Sequence, residues 1–486
     1  MNYKMVLFII GRILKIEAVL LLLPAMISIF YKESNTLRAF LIPAAITLII
    51  GIVISFRKPK KSAIFAREGF TVVALSWILL SLLGALPFYL SKSIPSYIDC
   101  IFETVSGFTT TGSSILTNIE ALPLSILFWR SFTHWIGGMG ILVFVLAILP
   151  QHNNQSMYLM RAEVPGPTVG KLVSKIGLTA RILYAIYVLM TIIEIILLII
   201  GGMPIFDSVV HSFGTAGTGG FAIKNISIAA YDSAYLQYII AIFMILFGIN
   251  FNMFYFLLMR KFLQVFKSEE LRCYLAIIAV STIIISINTY SIYENFSDSF
   301  RHAFFQVSSI ITTTGYATTD FNNWPLLSKC ILVALMFFGA CAGSTGGGIK
   351  ISRIIILFKT GINEIRQTFS PKSVHTIKFD GKPVETAVSR GIYSFFIVYM
   401  MILAISILLV SFDNFDFTTT TTAVISCINN IGPGLEHVGP MGNFADFSPF
   451  AKLVLSFDML AGRLEIFPIF VLFYPKIWMH KKKLLS

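Results

Sequence analysis

The chain is poor in charged residues, which make up 13% of its 486 residues, whereas 56% are hydrophobic. This composition excludes an ordinary soluble globular protein and is typical of a polytopic membrane protein. The five cysteines are scattered and lack metal-ligand spacing, so we predict buried free thiols without a disulfide framework or a metal site. The sequence contains no HExxH, GxSxG or Walker A motif and no nucleotide-binding domain. These absences argue against an enzyme.

Acidic residues are also fewer than basic ones, which gives a formal net charge of +13. The basic residues concentrate in particular loops, namely 57–67, 161–181, 260–272, 359–390 and 480–483. The positive-inside rule places such loops in the cytoplasm. Their distribution therefore favours a role in membrane topology, and we predict no nucleic-acid partner.

Ten apolar segments are long enough to cross a bilayer. They cover 5–30, 38–56, 69–91, 124–149, 180–202, 234–259, 273–294, 329–359, 389–412 and 450–479. The first is too long for a secretory signal and has no small-residue cleavage site, so we interpret it as a retained helix. An even number of crossings puts both termini on one side, and the basic loops identify that side as the cytoplasm.

A glycine-centred sequence, rich in Thr in three of its copies, occurs four times. The copies are Phe108–Gly112, Thr215–Gly220, Thr312–Tyr316 and Asn429–Gly434, and their predicted centres are Gly112, Gly219, Gly315 and Gly432. A serine lies six residues before three of these centres, and Phe213 takes that position in the second copy. The even spacing indicates repeated units of one architecture.

Each copy follows an apolar stretch too short to span a membrane, at 98–109, 205–215, 299–311 and 417–428. An aspartate that can cap free amides lies near each start, namely Asp99, Asp207, Asp298 and Asp416. We predict half-membrane helices that enter the bilayer and return. Irregular backbone at membrane depth is tolerated only inside protein or along a water-filled cavity, so the loops are expected to line one.

These elements predict an all-α polytopic membrane protein built like a potassium channel. Four repeated units would each contain a helix, a re-entrant pore helix, a filter loop and a second helix, with two extra transmembrane helices at the N-terminus. The predicted divisions are the N-terminal hairpin 1–58, the pore repeats 59–160, 161–268 and 269–370, and the fourth repeat 371–486. The second helix of the third repeat would be interrupted by a glycine-rich run.

Such loops suit a monovalent cation, because backbone carbonyl groups replace its hydration shell without a fixed charge. Glycine allows the unusual backbone angles that this requires, and threonine adds a hydroxyl group. The predicted filter residues are Thr110, Thr111, Gly112, Thr218, Gly219, Gly220, Thr313, Thr314, Gly315, Asn430, Ile431 and Gly432.

Four segments carry a resemblance to a known family: Ser106–Gly112, Ile311–Tyr316, Asn429–Gly434 and Gly339–Lys350. They resemble the Trk/Ktr/HKT superfamily of potassium transporters, in particular its bacterial TrkH/TrkG branch, and the likeness extends over essentially the whole chain. Two departures are Gly217, where a hydroxyl residue is expected, and Asn430-Ile431 in place of a threonine pair.

The resemblance implies one filter per chain with potassium as the substrate, a homodimer, and a multi-pass protein of the bacterial cytoplasmic (inner) membrane. It also implies a cytoplasmic TrkA-like subunit that binds NAD(H) or ATP/ADP, while this chain binds no cofactor itself. The loops 150–180, 260–272 and 360–388 are the expected docking surfaces for that subunit.

The apolar segment 329–359 is interrupted by a glycine-rich run, which should unwind because glycine is unfavourable inside a helix. The residues alone leave a gate and a packing kink equally open. The resemblance implies a gate beneath the filter, formed by Gly343, Ser344, Thr345, Gly346, Gly347 and Gly348 with Lys350.

Arg463 lies in the last apolar segment, where a charge is costly unless it faces a cavity or has a partner. The resemblance implies an electrostatic barrier in the pore below the filter. The alternative is an ion pair with Asp458 or Glu465. For the chain as a whole, the competing function is a sodium- or proton-coupled cation symporter, because repeats and broken helices occur in that class as well.

Overall fold

The computed structural model describes residues 1–57, 59, 65–140, 176–371 and 376–474. This part of the chain is mostly helical, as predicted. Its α-helices are α1 Tyr3–Leu20, α2 Leu22–Phe30, α3 Ser34–Ile54, α4 Ala66–Gly84, α5 Leu86–Leu90, α6 Tyr97–Phe108, α7 Leu124–Gly138, α8 Ile176–Ile200, α9 Ile205–Gly217, α10 Ala234–Phe247, α11 Phe251–Leu258, α12 Phe262–Phe266, α13 Glu269–Tyr293, α14 Phe296–Ile311, α15 Leu326–Met336, α16 Ile351–Phe369, α17 Thr386–Val410, α18 Phe417–Asn429, α19 Pro449–Arg463 and α20 Phe467–Phe473.

Strands in the described residues are dipeptides. β1 Phe338–Gly339 pairs in parallel with β2 Ile349–Lys350, and β3 Lys378–Phe379 pairs antiparallel with β4 Lys382–Pro383. The basic cluster 480–483, most of the loop 150–180 and the end of the predicted span 124–149 lie outside the described residues.

Five helical segments of the described chain are long and apolar enough to cross a membrane: Ser34–Ile54, Arg67–Leu90, Leu178–Ile200, Glu269–Tyr293 and Thr386–Asp413. They carry exposed apolar side chains, among them Ile49, Ile287 and Leu408. Such side chains suit contact with lipid, and a multi-pass membrane protein follows. The count of ten crossings stays a prediction.

The predicted span 234–259 is not one straight helix. It consists of α10 and α11, which are bent by 93° relative to each other. Gly248 ends α10, and the Asn250 side chain caps α11 by accepting a hydrogen bond from the Asn252 amide at 2.9 Å. The glycine-rich segment 339–348 satisfies the interrupted backbone: Cys341 N–H donates to Gly248 O, and Phe251 N–H donates to Gly343 O, both at 3.0 Å. The two irregular stretches thus satisfy each other's backbone hydrogen-bonding groups inside the protein.

The last predicted span, 450–479, is also interrupted within the described residues. α19 ends at Arg463, and α20 begins at Phe467 after Glu465 and Ile466, whose φ angles are 54° and 67°. These left-handed angles end the helix, so Arg463 lies at its C-terminal end.

The N-terminal helices α1 and α3 pack closely through two glycines. A β-carbon added at Gly11 would lie 2.8 Å from the carbonyl oxygen of Gly51, and one added at Gly51 would lie equally close to that of Gly11. Small residues allow such close approach of helices in membranes.

The four short apolar stretches form α6, α9, α14 and α18, which contain 12, 13, 16 and 13 residues. Each is shorter than the ~20 residues that a crossing requires. Their boundaries agree with the predicted ones to within three residues.

The predicted capping role of the four aspartates is correct only for Asp416, which accepts a hydrogen bond from the Thr419 amide at 2.8 Å. Asp99 instead accepts a bond from Lys452 Nζ at 2.7 Å, and Asp207 accepts one from the Tyr231 hydroxyl at 2.7 Å. Asp298 forms an ion pair with Arg301. Asp99 and Asp207 thus bind side chains that are distant in sequence and not the amides at the start of their own helices.

All five cysteines are free, as predicted, but not all are buried. Cys100, Cys341 and Cys427 are buried, whereas Cys273 is half-buried and Cys330 is exposed.

Candidate functional site

The loops that follow the four short helices share one backbone conformation. In each, a residue with left-handed φ is followed by one residue and then by a glycine with positive φ. The pairs are Thr110 (55°) and Gly112 (83°), Thr218 (54°) and Gly220 (75°), Thr313 (59°) and Gly315 (87°), and Asn430 (56°) and Gly432 (104°).

This conformation corrects the predicted alignment of the second loop by one residue. Its counterpart of Gly112 is Gly220, not Gly219, so the position six residues earlier is Gly214 and not Phe213. Hydrogen bonds agree with this alignment, because Gly219 N–H donates to Gly214 O at 2.8 Å, as Thr111 N–H does to Ser106 O at 2.9 Å.

The four glycines with positive φ place the loops in a closed ring. A β-carbon on Gly112 would overlap the carbonyl oxygen of Gly219, one on Gly220 that of Thr314, and one on Gly315 that of Ile431. The ring closes at Gly432, where a β-carbon would lie 2.9 Å from the carbonyl oxygen of Thr111. Each glycine therefore contacts the residue before the glycine of the next loop, and the four loops surround a common centre.

The ring lies between two cavities. One is lined by the four ring glycines together with Arg130 and Lys224. On the other side, the glycine-rich segment contacts the first residue of a loop, because Gly347 N–H donates to Thr313 Oγ1 at 2.7 Å.

An ion pair near the ring was missed by the sequence analysis. Arg130 Nε lies 2.6 Å from Glu103 Oε1, and both side chains are buried. Glu103 also accepts hydrogen bonds from Ser114 Oγ and Ile115 N–H at 3.0 Å, while Arg130 donates to Ala222 O at 2.7 Å. The pair therefore ties the chain after the first loop to the chain after the second. An arginine within the apolar segment 124–149 was the signal for it.

The segment between α15 and α16 is not helical, in agreement with its glycine content. Within it, Lys350 Nζ donates to the carbonyl oxygens of Gly346 and Gly347, the latter at 3.0 Å. The buried Lys350 side chain thus binds the same glycines whose neighbouring backbone contacts the first loop position: Gly347 N–H donates to Thr313 Oγ1.

The carboxylate of Glu270 holds both ends of this segment. Its Oε1 accepts hydrogen bonds from Ala342 N–H at 2.8 Å and from Ser352 N–H at 3.0 Å. No pattern in the sequence indicates this contact, since Glu269 and Glu270 follow a basic loop and resemble an ordinary helix start.

Arg463 forms hydrogen bonds with backbone carbonyl groups of two distant segments. It donates to Thr345 O at 2.8 Å, and to Gly137 O and Gly138 O at 2.5 and 2.9 Å. The two proposed acidic partners have other contacts: Glu465 pairs with Arg353, and Asp458 accepts a bond from Ser406 Oγ at 2.7 Å.

The candidate gate residues meet at the second cavity. Its lining includes Gly343, Ser344, Gly346, Gly347, Gly348, Lys350 and Arg463. Thr345 joins them because its carbonyl oxygen accepts a hydrogen bond from Arg463.

Within the described residues, no cluster of three or more His, Cys, Asp or Glu side chains is arranged to hold a metal ion. The ring contacts themselves are made by the backbone carbonyl oxygens of Thr111, Gly219, Thr314 and Ile431.

Comparison with known proteins relates the whole chain to one group. Residues 36–480 match the sequence profile of the TrkH family, described as cation transport protein. The Trk system potassium uptake protein TrkH of Salmonella typhimurium is 36% identical over 98% of this chain and 100% of its own, and TrkG of Escherichia coli K12 is 34% identical over 96% and 97%. The crystal structure of the potassium transporter TrkH from Vibrio parahaemolyticus superposes with a TM-score of 0.88 at 32% identity, covering 99% of this chain and 100% of that one.

Proposed function

Since this chain belongs to the TrkH family of cation transport proteins, we propose that it mediates potassium uptake through the ring of four loops. The observation that carries the proposal is the closed contact of each ring glycine with the next loop. Four similar loops around one centre can present backbone oxygens to an ion from all sides, as a cation needs when it loses its water.

The filter residues in this proposal are the three residues of each loop from the left-handed position to the glycine. They are Thr110–Gly112, Thr218–Gly220, Thr313–Gly315 and Asn430–Gly432. The second and fourth loops have fewer hydroxyl groups than the others, so backbone carbonyl groups supply the ligands that all four share.

The glycine-rich segment serves as the gate of the pathway. Two observations support this role: Gly347 of the segment donates a hydrogen bond to Thr313, and Lys350 and Arg463 add positive charge beside the segment. The glycines of this segment can adopt other backbone angles without steric clash, because glycine has few steric restrictions. Movement of this segment would open the way for the ion.

A cytoplasmic nucleotide-binding subunit controls the gate in this proposal. Asp380, in the turn between β3 and β4, accepts a hydrogen bond from Glu269 N–H at 2.7 Å, and Lys359 Nζ lies 2.5 Å from the Glu269 carboxylate. Glu269 adjoins Glu270, which holds the gate segment. A partner that contacts 260–272 or 360–388 would thus act close to the gate. We also propose a homodimer in the bacterial inner membrane, with both termini in the cytoplasm.

Rubidium uptake by the protein reconstituted in vesicles tests the transport function. Uptake should follow the potassium gradient alone and resist competition by sodium; dependence on a sodium or proton gradient would instead support a coupled symporter.

Gly315→Ser should lower the preference for rubidium over sodium, because its φ of 87° and the Ile431 carbonyl group both oppose a side chain. Gly391→Ser is the control, since a β-carbon there meets nothing within 4 Å. Equal ion preference in both variants would contradict the filter.

A further inference from the structure

The first filter loop is tied to its helix by a pair of threonine hydroxyl groups. Thr111 Oγ1 lies 2.8 Å from Thr109 Oγ1, and Thr109 Oγ1 donates to Val105 O at 2.7 Å. The same two bonds occur at 2.8 and 2.6 Å in the third loop, among Thr314, Thr312 and Ser308. These bonds connect the middle residue of the first and of the third filter triplet to the helix that precedes it.

The second loop has glycine at both corresponding positions, Gly217 and Gly219. Neither residue has a positive φ, so the backbone conformation does not require glycine there. Another restriction must exclude a side chain.

That restriction is His134, a buried residue of α7. A β-carbon added at Gly219 would lie 2.5 Å from His134 Cγ and 2.6 Å from Cε1, so the imidazole ring occupies the space of the missing side chain. The main chain of His134 excludes a side chain at Gly217 as well, because a β-carbon there would lie 2.7 Å from its carbonyl carbon.

The same helix also holds the residue after the second triplet. The His134 ring stacks on Phe221 with ring centroids 4.2 Å apart, and Arg130 Cζ lies 3.6 Å from the Phe221 centroid. His134 thus contacts the second loop on both sides of Gly220.

We propose that His134 is a positioning residue for ion selection, which replaces from a neighbouring helix the hydroxyl pair that braces the first and third loops. This inference rests on the proposed potassium filter. Protein interiors are close-packed, so removal of the ring leaves space into which the second loop can move. The spacing of its carbonyl groups then changes, and ion preference depends on the number and placement of those oxygens.

The test compares rubidium uptake and sodium competition in reconstituted wild type, His134→Ala, His134→Gln and the double variant His134→Ala with Gly219→Thr. His134→Ala should lower the preference for rubidium over sodium by roughly tenfold or more, because small displacements in a preorganised site have large effects. His134→Gln largely fills the space and should stay near wild type. The double variant should regain preference, since threonine then occupies the freed space. Gly219→Thr alone should be impaired, because its side chain meets the intact ring. Ser131→Ala controls for substitution within α7.

Each outcome decides between the alternatives. Unchanged ion preference in folded His134→Ala would overturn the inference while leaving the filter intact, whereas a wild type without selective rubidium uptake would contradict the proposed function itself. If His134→Ala does not fold, the double variant decides: recovery of folded, selective protein supports the brace, and failure overturns it.

Discussion

At the scale of single residues, the glycines of the four loops have two different causes. Gly112, Gly220, Gly315 and Gly432 combine positive φ with contact to the next loop, so both backbone and neighbour exclude a side chain. Gly219 has no positive φ, and the atoms nearest to a β-carbon added there belong to His134. The sequence shows glycine in both cases, and only the spatial neighbours distinguish them.

Arg463 is the residue whose charge should matter most for ion flow. Replacement with alanine removes a positive charge from the cavity that contains the glycine-rich segment. A unit charge at ~10 Å and an effective dielectric constant of ~20 contributes about 1.7 kcal/mol, which corresponds to an increase in basal rubidium uptake of roughly tenfold. Uptake by reconstituted Arg463→Ala measures the effect, and exposed Arg366→Ala is the control. Lower or unaltered flux in correctly inserted protein would contradict the barrier.

At the scale of elements, broken helices determine the arrangement around the ring. The breaks at Gly248 and at the glycine-rich segment exchange backbone hydrogen bonds, which explains why both persist in an apolar environment. The run of glycines in the sequence indicated the break between α15 and α16 directly. The 93° bend between α10 and α11 was not predicted, because a single glycine is compatible with a continuous helix.

Glu270 should control how firmly the glycine-rich segment is held. Glu270→Ala leaves the buried amides of Ala342 and Ser352 without their carboxylate acceptor, at a cost of about 1–3 kcal/mol for each unsatisfied group. The segment should become more mobile, and basal rubidium uptake should rise in the absence of any regulatory subunit. Glu364→Ala, at an exposed position of α16, is the matched control. A folded Glu270→Ala protein with wild-type basal flux would separate this carboxylate from gating.

At the scale of the whole molecule, charge and loop position predict which loops lie on each side of the membrane. The positive-inside rule predicts that the basic loop with the β3–β4 hairpin lies in the cytoplasm. The loop that follows the second filter triplet is then expected on the outer face. Asn225 and Lys382 are exposed representatives of these two loops.

Thiol labelling tests this orientation. In a Cys330→Ser background, which removes the exposed native thiol, Asn225→Cys should react with a membrane-impermeant reagent in intact spheroplasts. Lys382→Cys should react only after permeabilisation. The two variants control for each other, and the reverse pattern would invert the predicted topology.

The amino-acid sequence by itself determined the membrane class, the short helices, the four loops and the glycine-rich break, because apolar length and glycine content act locally along the chain. It also carried the family resemblance that the comparisons confirm. The tertiary structure alone decided the alignment of the second loop, the partners of Asp99 and Asp207, the carbonyl contacts of Arg463 and the contacts of Glu270 and His134. Each of these depends on which distant segments fill the same space, and steric exclusion and hydrogen bonding between such segments leave no periodic signal in the sequence.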